Sequence, residues 1–392
     1  MQRGSFELMK KLNMQVILEI IHKTSPISRA RIAEVTGLSP ATVSNIVKEL
    51  LEMELVRETS RGESRGGRKP VLLELNPSGA YLIGLEWGIA EIKGVLMDLS
   101  KRVKAVRDMP VDTYQVGDFI DSTLEIIDIF SHKVDHPERI YGVGIGVHGL
   151  VNPEKGVSLF APHFKWEDVP IKEYLRKRMG YPVLLDNDVR MMALAEKWDG
   201  KDNFIFINTG PGIGAAIVLD GRLHFGRDFS AGEFGHMTIV EEGPLCSCGN
   251  FGCLEALISV DRLVREFNPD LHQGLSYGGL KEEWGRLIMT AKKGQNKARE
   301  ILTDAARYLG TGIANLVNLL NPESIIIGGD FIVAEKIIFP LIKEQVSKKA
   351  LSIPSRKLKI MPTVFGENAG AVGAATMVLQ KLFKLEEGDN NE

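Results

Sequence analysis

Two stretches of this chain repeat one layout at an offset of 122 residues, and that repeat limits the folds open to it. IGLEWGIAEIKGVLMDLSKRV (83–103) and IFINTGPGIGAAIVLDGRLHF (205–225) each read as strand, glycine turn, strand, turn and third strand. Glu86 falls opposite Asn208, Gly88 opposite Gly210, and Asp98 opposite Asp220. A duplicated three-strand start followed by α/β units implies two lobes with a cleft between them. In that arrangement the glycine turns face each other, and their backbone N–H groups can hold phosphates. The second turn, TGPGIGAA, keeps that capacity. The first, EWGIA, is poor for it, because Trp87, Ile89 and Ala90 stand where small and hydroxyl-bearing residues are needed.

The 392 residues exceed one ordinary core, so two to three domains are expected. With 44% hydrophobic and 25% charged residues and no apolar run of membrane-spanning length, the composition excludes a membrane protein. The amino terminus, MQRGSFELMKKLNMQ, lacks the apolar core of a signal peptide, which points to the cytoplasm. Charge is uneven. Residues 1–70 hold 12 Lys/Arg against 8 Asp/Glu, whereas the rest hold 36 against 43. A basic head on an acidic body points to a polyanion partner for the head alone.

In that head Met9, Leu12, Val16 and Ile20 recur at helical spacing, with Ile17 and Ile21 widening the stripe. A second short helix starts at Ser28, an N-cap, and stops at Gly37. Ser39 caps a third, and Pro40 takes its first position. The third helix turns Val43, Val47, Leu50 and Leu51 inward and leaves Thr42, Ser44, Asn45 and Lys48 outside. Two short helices joined by a tight turn, the second with a polar, non-acidic face, make a helix-turn-helix. Side chains on the amino-terminal half of the third helix would reach base edges, Ser39 and Lys48 join the DNA-binding set, and Arg29 and Arg31 are better placed for phosphates. LVRETS and PVLLELN read as two strands of a wing around RGESRGGRKP, whose Arg61, Arg65, Arg68 and Lys69 suit a minor groove. A basic interdomain linker is the other reading of that loop.

All three cysteines, Cys246, Cys248 and Cys253, lie within eight residues of one another, with His236 ten residues upstream of the first. Three thiolates and one imidazole are a complete tetrahedral set for structural zinc, and Gly249 and Gly252 let the chain turn around an ion. Glu233 and Glu255 flank the set and offer acceptors to hydroxyl groups. VLLDNDVRMMALAE (183–196) is a strand breaking into a helix at Asp186, Asn187 and Asp188. Polar side chains at a strand end beside a cleft are placed for a ligand, and Asp188 is a candidate general base on a sugar hydroxyl. An aspartate-rich helix cap accounts for the same residues. IYGVGIGVHGLVN (140–152) is a buried strand ending in a glycine-rich loop with His148, and ENAGAVGAATMVL (367–379) is a small-residue helix suited to close packing.

Taken together, ISRARIAEVTGLSPATVS, GRKP, DNDV, GEFGH, CSCGNFGCLE and NPESIIIGG resemble the ROK family across essentially the whole chain. That family joins sugar-responsive bacterial repressors with sugar kinases. The resemblance implies an α/β fold: an N-terminal winged helix-turn-helix over residues 1–75, wing and linker included, followed by a two-lobed actin-like ATPase body of the sugar-kinase type. Lobe 1 would span 76–196, and lobe 2, with the zinc loop, 197–392, with the C-terminal helix free to pack back on lobe 1. It implies zinc on His236, Cys246, Cys248 and Cys253, and sugar contacts from Asn187, Asp188, Glu233, His236 and Glu255. His236 would give one ring nitrogen to the ion and the other to a sugar hydroxyl.

Asp188 matches the family's catalytic base, here vestigial, because the Asp-x-Gly-Gly-Thr type of phosphate loop is not preserved at Glu86–Ala90. Arg190 also departs, standing where a small polar residue is usual. The resulting expectation is a repressor of carbohydrate-utilisation genes and not an enzyme. It would be a homodimer or homotetramer on a double-stranded operator, released or tightened by a sugar effector. A sugar kinase with an added DNA-binding head is the alternative. APHFKW (161–166) is expected to shape the pocket or to cover it.

Overall fold

The computed structural model describes residues 3–61, 70–111, 113–197, 200–271 and 275–384. The head opens with α1 (Arg3–Thr24), α2 (Arg29–Thr36) and α3 (Pro40–Glu52). Ser28 caps α2 by accepting the Arg31 N–H at 3.3 Å, and Gly37 ends it in the left-handed region at φ 70°. Only glycine takes that conformation without cost. Ser39 Oγ accepts the Thr42 N–H at 3.1 Å, so the start of α3 is fixed from its own side chain. Strands β1 (Ile27–Ser28), β2 (Val56–Arg61) and β3 (Val71–Leu75) form an antiparallel sheet in the order β1-β3-β2, which is the wing beside the helices.

Two details depart from the sequence expectation. In α3 the buried face is Val43, Ile46, Val47 and Leu50, and Leu51 is only half-buried. In α1 the buried stripe is Met14, Ile17, Leu18 and Ile21, whereas Met9, Leu12 and Val16 are 57%, 44% and 46% exposed. Both stripes have helical spacing. The packing partners select the second one: it joins a core shared with Ala80, Leu82, Val95 and Met97 of the body and with Ala371, Leu379 and Phe383 near the chain's end.

The repeat is visible in the sheets. The first holds β4 (Tyr81–Trp87), β5 (Glu91–Asp98), β6 (Val103–Pro110), β7 (Ile140–Val147) and, beyond the small sheet β8 (Leu150–Asn152), β9 (Val157–Ala161), β10 (Trp166–Val169), strand β11 (Val183–Asn187). The second holds β12 (Phe204–Thr209), β13 (Ile213–Leu219), β14 (Arg222–Leu223), β15 (Ser324–Gly329) and β16 (Lys359–Pro362). Their orders, β11-β7-β4-β5-β6 and β14-β13-β12-β15-β16, are the same order read from opposite edges. In both, the three opening strands pair antiparallel and the two later ones join parallel. This is an actin-like, sugar-kinase-type body.

The helix Ala369–Lys384 covers the first sheet, where Gly84 and Gly144 admit it. A Cβ on either glycine would collide with the Ala371 or Ala374 carbonyl, so bare backbone lets helix and sheet close up. No helix among the described residues is long and apolar enough to cross a membrane.

Residues 56–61 and 71–75 pair as two strands of the wing sheet, and the chain enters the body after them. The connection is Asn76–Ala80, and it is tightly held. Asn76 donates from Nδ2 to the Glu54 carbonyl at 2.8 Å, Arg139 donates to the Ser78 carbonyl at 3.1 Å, and Arg139 also pairs with Glu54. His22 of α1 lies 5.6 Å from the Phe383 ring, and its burial and the nearby Lys101 bring its pKa down to about 4.

Candidate functional site

Both sheets present their strand ends to one cleft of about 420 Å³, within the size range of small-molecule sites. At the end of β11 the chain passes directly from Asn187 into the helix Asp188–Lys197. Asn187 Oδ1 accepts the Arg190 N–H at 3.0 Å, the helix-cap bond that the sequence also allowed. Its Nδ2 donates to the Gly149 carbonyl at 2.9 Å and to Asp188 Oδ1 at 2.8 Å. Asn187 therefore positions Asp188 as well as bordering the cleft. Asp188 is 6% exposed, and its other oxygen faces His148 Nδ1 at 3.3 Å.

His148 continues the chain of polar groups. Its Nε2 lies 3.1 Å from His163 Nδ1, and both rings line the cleft. Burial opposes the charged form of His148, but Asp188, Glu255 and Glu233 outweigh it and raise the pKa. Burial and the neighbouring His148 lower that of His163. His163 belongs to the 161–166 stretch expected to shape the pocket. The signal for His148 in the sequence was only its place at a strand end in a glycine-rich loop.

Arg190, the departure noted above, faces away from the cleft and holds its wall. It is 3% exposed and donates to Asp186 Oδ1 at 2.6 Å, to the Phe229 carbonyl at 2.9 Å and to the Val151 carbonyl at 3.1 Å. Burial raises the Asp186 pKa, and Arg190 opposes the rise. The Phe229 bond matters most, since residues 229–255 carry the remaining predicted contacts.

His236, Cys246, Cys248 and Cys253 come together with their ligand atoms all within 4.8 Å of one another, a cluster able to hold a metal ion. Cys246 Sγ faces His236 Nδ1 at 3.6 Å, and Cys248 Sγ faces Cys253 Sγ at 3.7 Å. His236 Nε2 is left on the side of Glu233, 3.8 Å from its Oε2. Glu255 accepts the Ile213 N–H at 3.0 Å and the Ser247 hydroxyl at 3.4 Å, tying the cysteine loop to the second glycine turn. Burial raises the pKa of Glu233, with His236 opposing and Glu255 and Asp188 adding to the rise. All five residues expected to meet a sugar line this cleft.

The glycine turns differ from expectation in one respect. Trp87 does not stand in the cleft. Strand alternation sends it to the opposite face, where it is fully buried beside Phe119 and Trp166 and donates to Thr123 Oγ1 at 3.0 Å. Glu86, Gly88, Ile89 and Ala90 are the residues that line the cleft.

On the head, Ser39, Ser44, Asn45 and Lys48 are exposed and Thr42 is half-buried, so the polar face of α3 is open. Arg29 reaches Glu58 of β2 at 2.9 Å, and Lys48 reaches Glu52 at 3.7 Å. Arg65, Arg68 and Lys69 lie outside the described residues, as does the side chain of Arg61.

The fold and the cleft define a sugar-kinase-type body that carries a winged helix-turn-helix head. The chain belongs to the ROK family, whose profile matches residues 82–381, and a winged helix-turn-helix DNA-binding profile matches residues 13–57. It is 33% identical over 401 residues to the xylose repressor of Caldicellulosiruptor bescii, covering 98% of this chain and 99% of the relative. Among solved structures it is similar to a ROK family transcriptional regulator, a homologue of the Escherichia coli MLC protein. That likeness has a TM-score of 0.83 and 29% identity over 96% of this chain and 97% of the other. The body alone resembles a ROK family glucokinase from Streptomyces griseus, solved with glucose and AMPPNP, with a TM-score of 0.66 and 28% identity over 77% of this chain and 100% of the kinase.

Proposed function

We propose that the chain is a DNA-binding transcriptional repressor of carbohydrate-utilisation genes, controlled by a sugar bound in the cleft. One observation carries this reading. A single chain joins an open recognition-helix face to a cleft in which Asp188, Glu233, His236 and Glu255 converge, beside a first glycine turn ill suited to phosphates. The Gly88 N–H is taken by the Glu91 carbonyl at 3.0 Å, Pro211 has none, and that of Ile213 goes to Glu255. Two of the turn donors, those of Gly88 and Ile213, are thus committed within the protein.

Residues 1–75 would act as the DNA reader, 76–196 as the first lobe and 197–392 as the second. Thr42, Ser44 and Asn45 would meet base edges, and Ser39, Lys48, Arg29 and the wing residues Arg65, Arg68 and Lys69 would hold the backbone and minor groove. A homodimer or homotetramer in the cytoplasm would bind a palindromic operator with two such heads.

Zinc suits the Cys/His cluster. A tetrahedral ion with Zn–S of about 2.3 Å and Zn–N of about 2.0 Å needs S···S edges of roughly 3.8 Å and N···S edges of roughly 3.6 Å. Two of the cluster's six edges are 3.7 Å and 3.6 Å, and all lie within 4.8 Å. Bound at Nδ1, the ion would fix the tautomer of His236 with Nε2–H toward the sugar, and it would order Glu233 and Glu255 on either side.

Near-complete switching requires the sugar to prefer one state by about 10⁴-fold, or roughly 5.5 kcal/mol. The route runs through the helix Ala369–Lys384, which shares a core with α1. The test is operator binding by fluorescence anisotropy across a panel of pentoses, hexoses and amino sugars. Operator affinity unchanged by every sugar refutes the reading. The kinase alternative draws on Asp188 with its His148 partner, and a coupled ADP-release assay decides it: robust turnover that vanishes in Asp188→Asn would replace the sensor by an enzyme.

A further inference from the structure

One surface of the second lobe is used neither by the cleft nor by the head. Ile353, Leu319 and Leu351 are 82%, 76% and 67% exposed, three of the four most exposed large hydrophobics among the described residues. They are neighbours. Leu351 and Ile353 flank the start of the short helix Ser352–Lys357. Asn318, one residue before Leu319 on the helix Asn296–Leu320, accepts the Leu351 N–H on its Oδ1 at 2.9 Å. Single exposed apolar side chains are ordinary, but a contiguous group marks a contact surface.

Charge frames this group with opposite signs at its two ends. Residues 343–359 hold six Lys/Arg against one Glu, in a body whose balance is acidic. Lys349, Arg356 and Lys357 are exposed there and have no ion-pair partner among the described residues. At the other end lies the cysteine loop. Asn315, one turn before Leu319 on the same helix face, donates to Met237 Sδ at 3.6 Å, next in the chain to His236. Leu245 and Phe251 pair across that loop and are 64% and 55% exposed. Glu241 and Glu242 of the same loop are exposed and likewise without an ion-pair partner among the described residues. The helix end at Leu319 therefore separates a basic, apolar patch from an acidic, apolar one.

We propose that this face docks a second copy of the chain about a two-fold axis near Leu319, with Glu241 and Glu242 of each copy against Lys349 and Lys357 of the other. The occupant follows from the surface itself. Two complementary ends on either side of an apolar centre satisfy each other when one copy lies end for end on another, which is the self-complementary geometry of a two-fold dimer. A polyanion such as DNA would match the basic end and be repelled by the acidic one. The position also disfavours the operator, because residues 359–362 form the edge strand of the second sheet, whereas the head packs on the first sheet and the helix Ala369–Lys384. The proposal rests on the homo-oligomeric reading above and adds where the copies meet. The loop that touches the partner is the one that follows Glu233 and His236, so the effector cleft borders the contact.

The experiment is analytical ultracentrifugation of the full chain over a concentration series, with circular dichroism to confirm that each variant is folded. The parent should associate, and Leu319→Glu, which sets two carboxylates together at the axis, should weaken the association at least about 100-fold. Reversing one end, as Glu241→Lys with Glu242→Lys or as Lys349→Glu with Lys357→Glu, should weaken it about 10-fold, since each change counts twice in a two-fold pair. Joining both reversals should return it to within about threefold of the parent. A parent that stays monomeric overturns the homo-oligomeric reading and the proposal together. Association unmoved by Leu319→Glu overturns the proposal alone, and joined reversals that fail to recover overturn the end-for-end pairing. Loss of operator or anionic-vesicle binding in the Lys349→Glu, Lys357→Glu variant, with association intact, gives the face to nucleic acid or lipid instead.

Discussion

Replacing Arg190 by methionine separates two effects that the structure assigns to one side chain. The variant leaves Asp186, 3% exposed, without its partner, and it removes the donor from the Val151 and Phe229 carbonyls. Breaking a buried pair by deleting one member costs about 3–5 kcal/mol, because the survivor stays buried and unpaired. For units of this size that lowers the apparent melting temperature by roughly 10 °C. Removing both partners, as Asp186→Leu with Arg190→Met, relieves the burial of charge and should recover most of the loss. Sugar affinity should behave differently. The Phe229 carbonyl, which anchors the loop carrying Glu233 and His236, lacks its donor in both variants, so both should bind sugar at least about 10-fold more weakly, or roughly 1.4 kcal/mol. Thermal melts and calorimetry on the parent, single and double variants read the two quantities separately. A single variant that melts within about 2 °C of the parent, or a double variant no more stable than the single, refutes the account of the pair. Full sugar affinity in the double variant refutes the role of the Phe229 bond.

Three further outcomes follow from the same geometry. Cys248→Ser should lower zinc content, measured by a chromogenic chelator, and abolish the sugar response while operator affinity stays within about threefold; operator binding lost first would make the loop a support for the assembly instead. Glu86 bears on stability against pH: its folded pKa of about 8 exceeds the unfolded 4.5, so the stability it contributes is full below 4.5 and lost as pH rises through 8. Glu86→Gln should therefore lose less melting temperature than the parent between pH 6 and pH 9, and parallel losses would show that the carboxyl does not titrate in this window. On the head, Lys48→Ala should reduce the salt slope of operator binding by about one, whereas Asn45→Ala should cost about 1–3 kcal/mol at one base position and leave the slope unchanged; the reverse pattern would exchange their roles.

Much of this was legible because the decisive signals were local. Caps at Ser28, Gly37 and Ser39 depend on a few adjacent residues, and each falls where the sequence puts it. The cysteine loop is equally local, and the strand break at Asp186–Asp188 is a change of pattern within a few residues. The small-residue helix near the chain's end pointed to close packing, and Gly84 and Gly144 supply the surface it needs. What escaped depends on partners distant in the chain. The stripe in α1 had two helical alternatives, and the packing against residues 371–383 selects between them. Trp87 looked like an obstacle in a phosphate turn until strand alternation placed it in the opposite core. Arg190 reads as an oddity in sequence, because two of its acceptors lie 39 residues away on either side.

The helix Ala369–Lys384 has one more consequence, which concerns the order in which the chain is made. The strands of the first sheet are complete once Asn187 has left the ribosome, yet the helix that covers them and shares a core with α1 emerges roughly 200 residues later. At ordinary elongation rates that delay is roughly 10–40 s, during which the α1 stripe and the sheet face lack their apolar cover. A nascent or truncated chain would thus be sticky rather than competent, a client for chaperones before it is a reader of DNA. The core that α1 shares with the body is therefore finished only when the helix Ala369–Lys384 has been made, which ties the packing of the head to the completion of the lobe behind it.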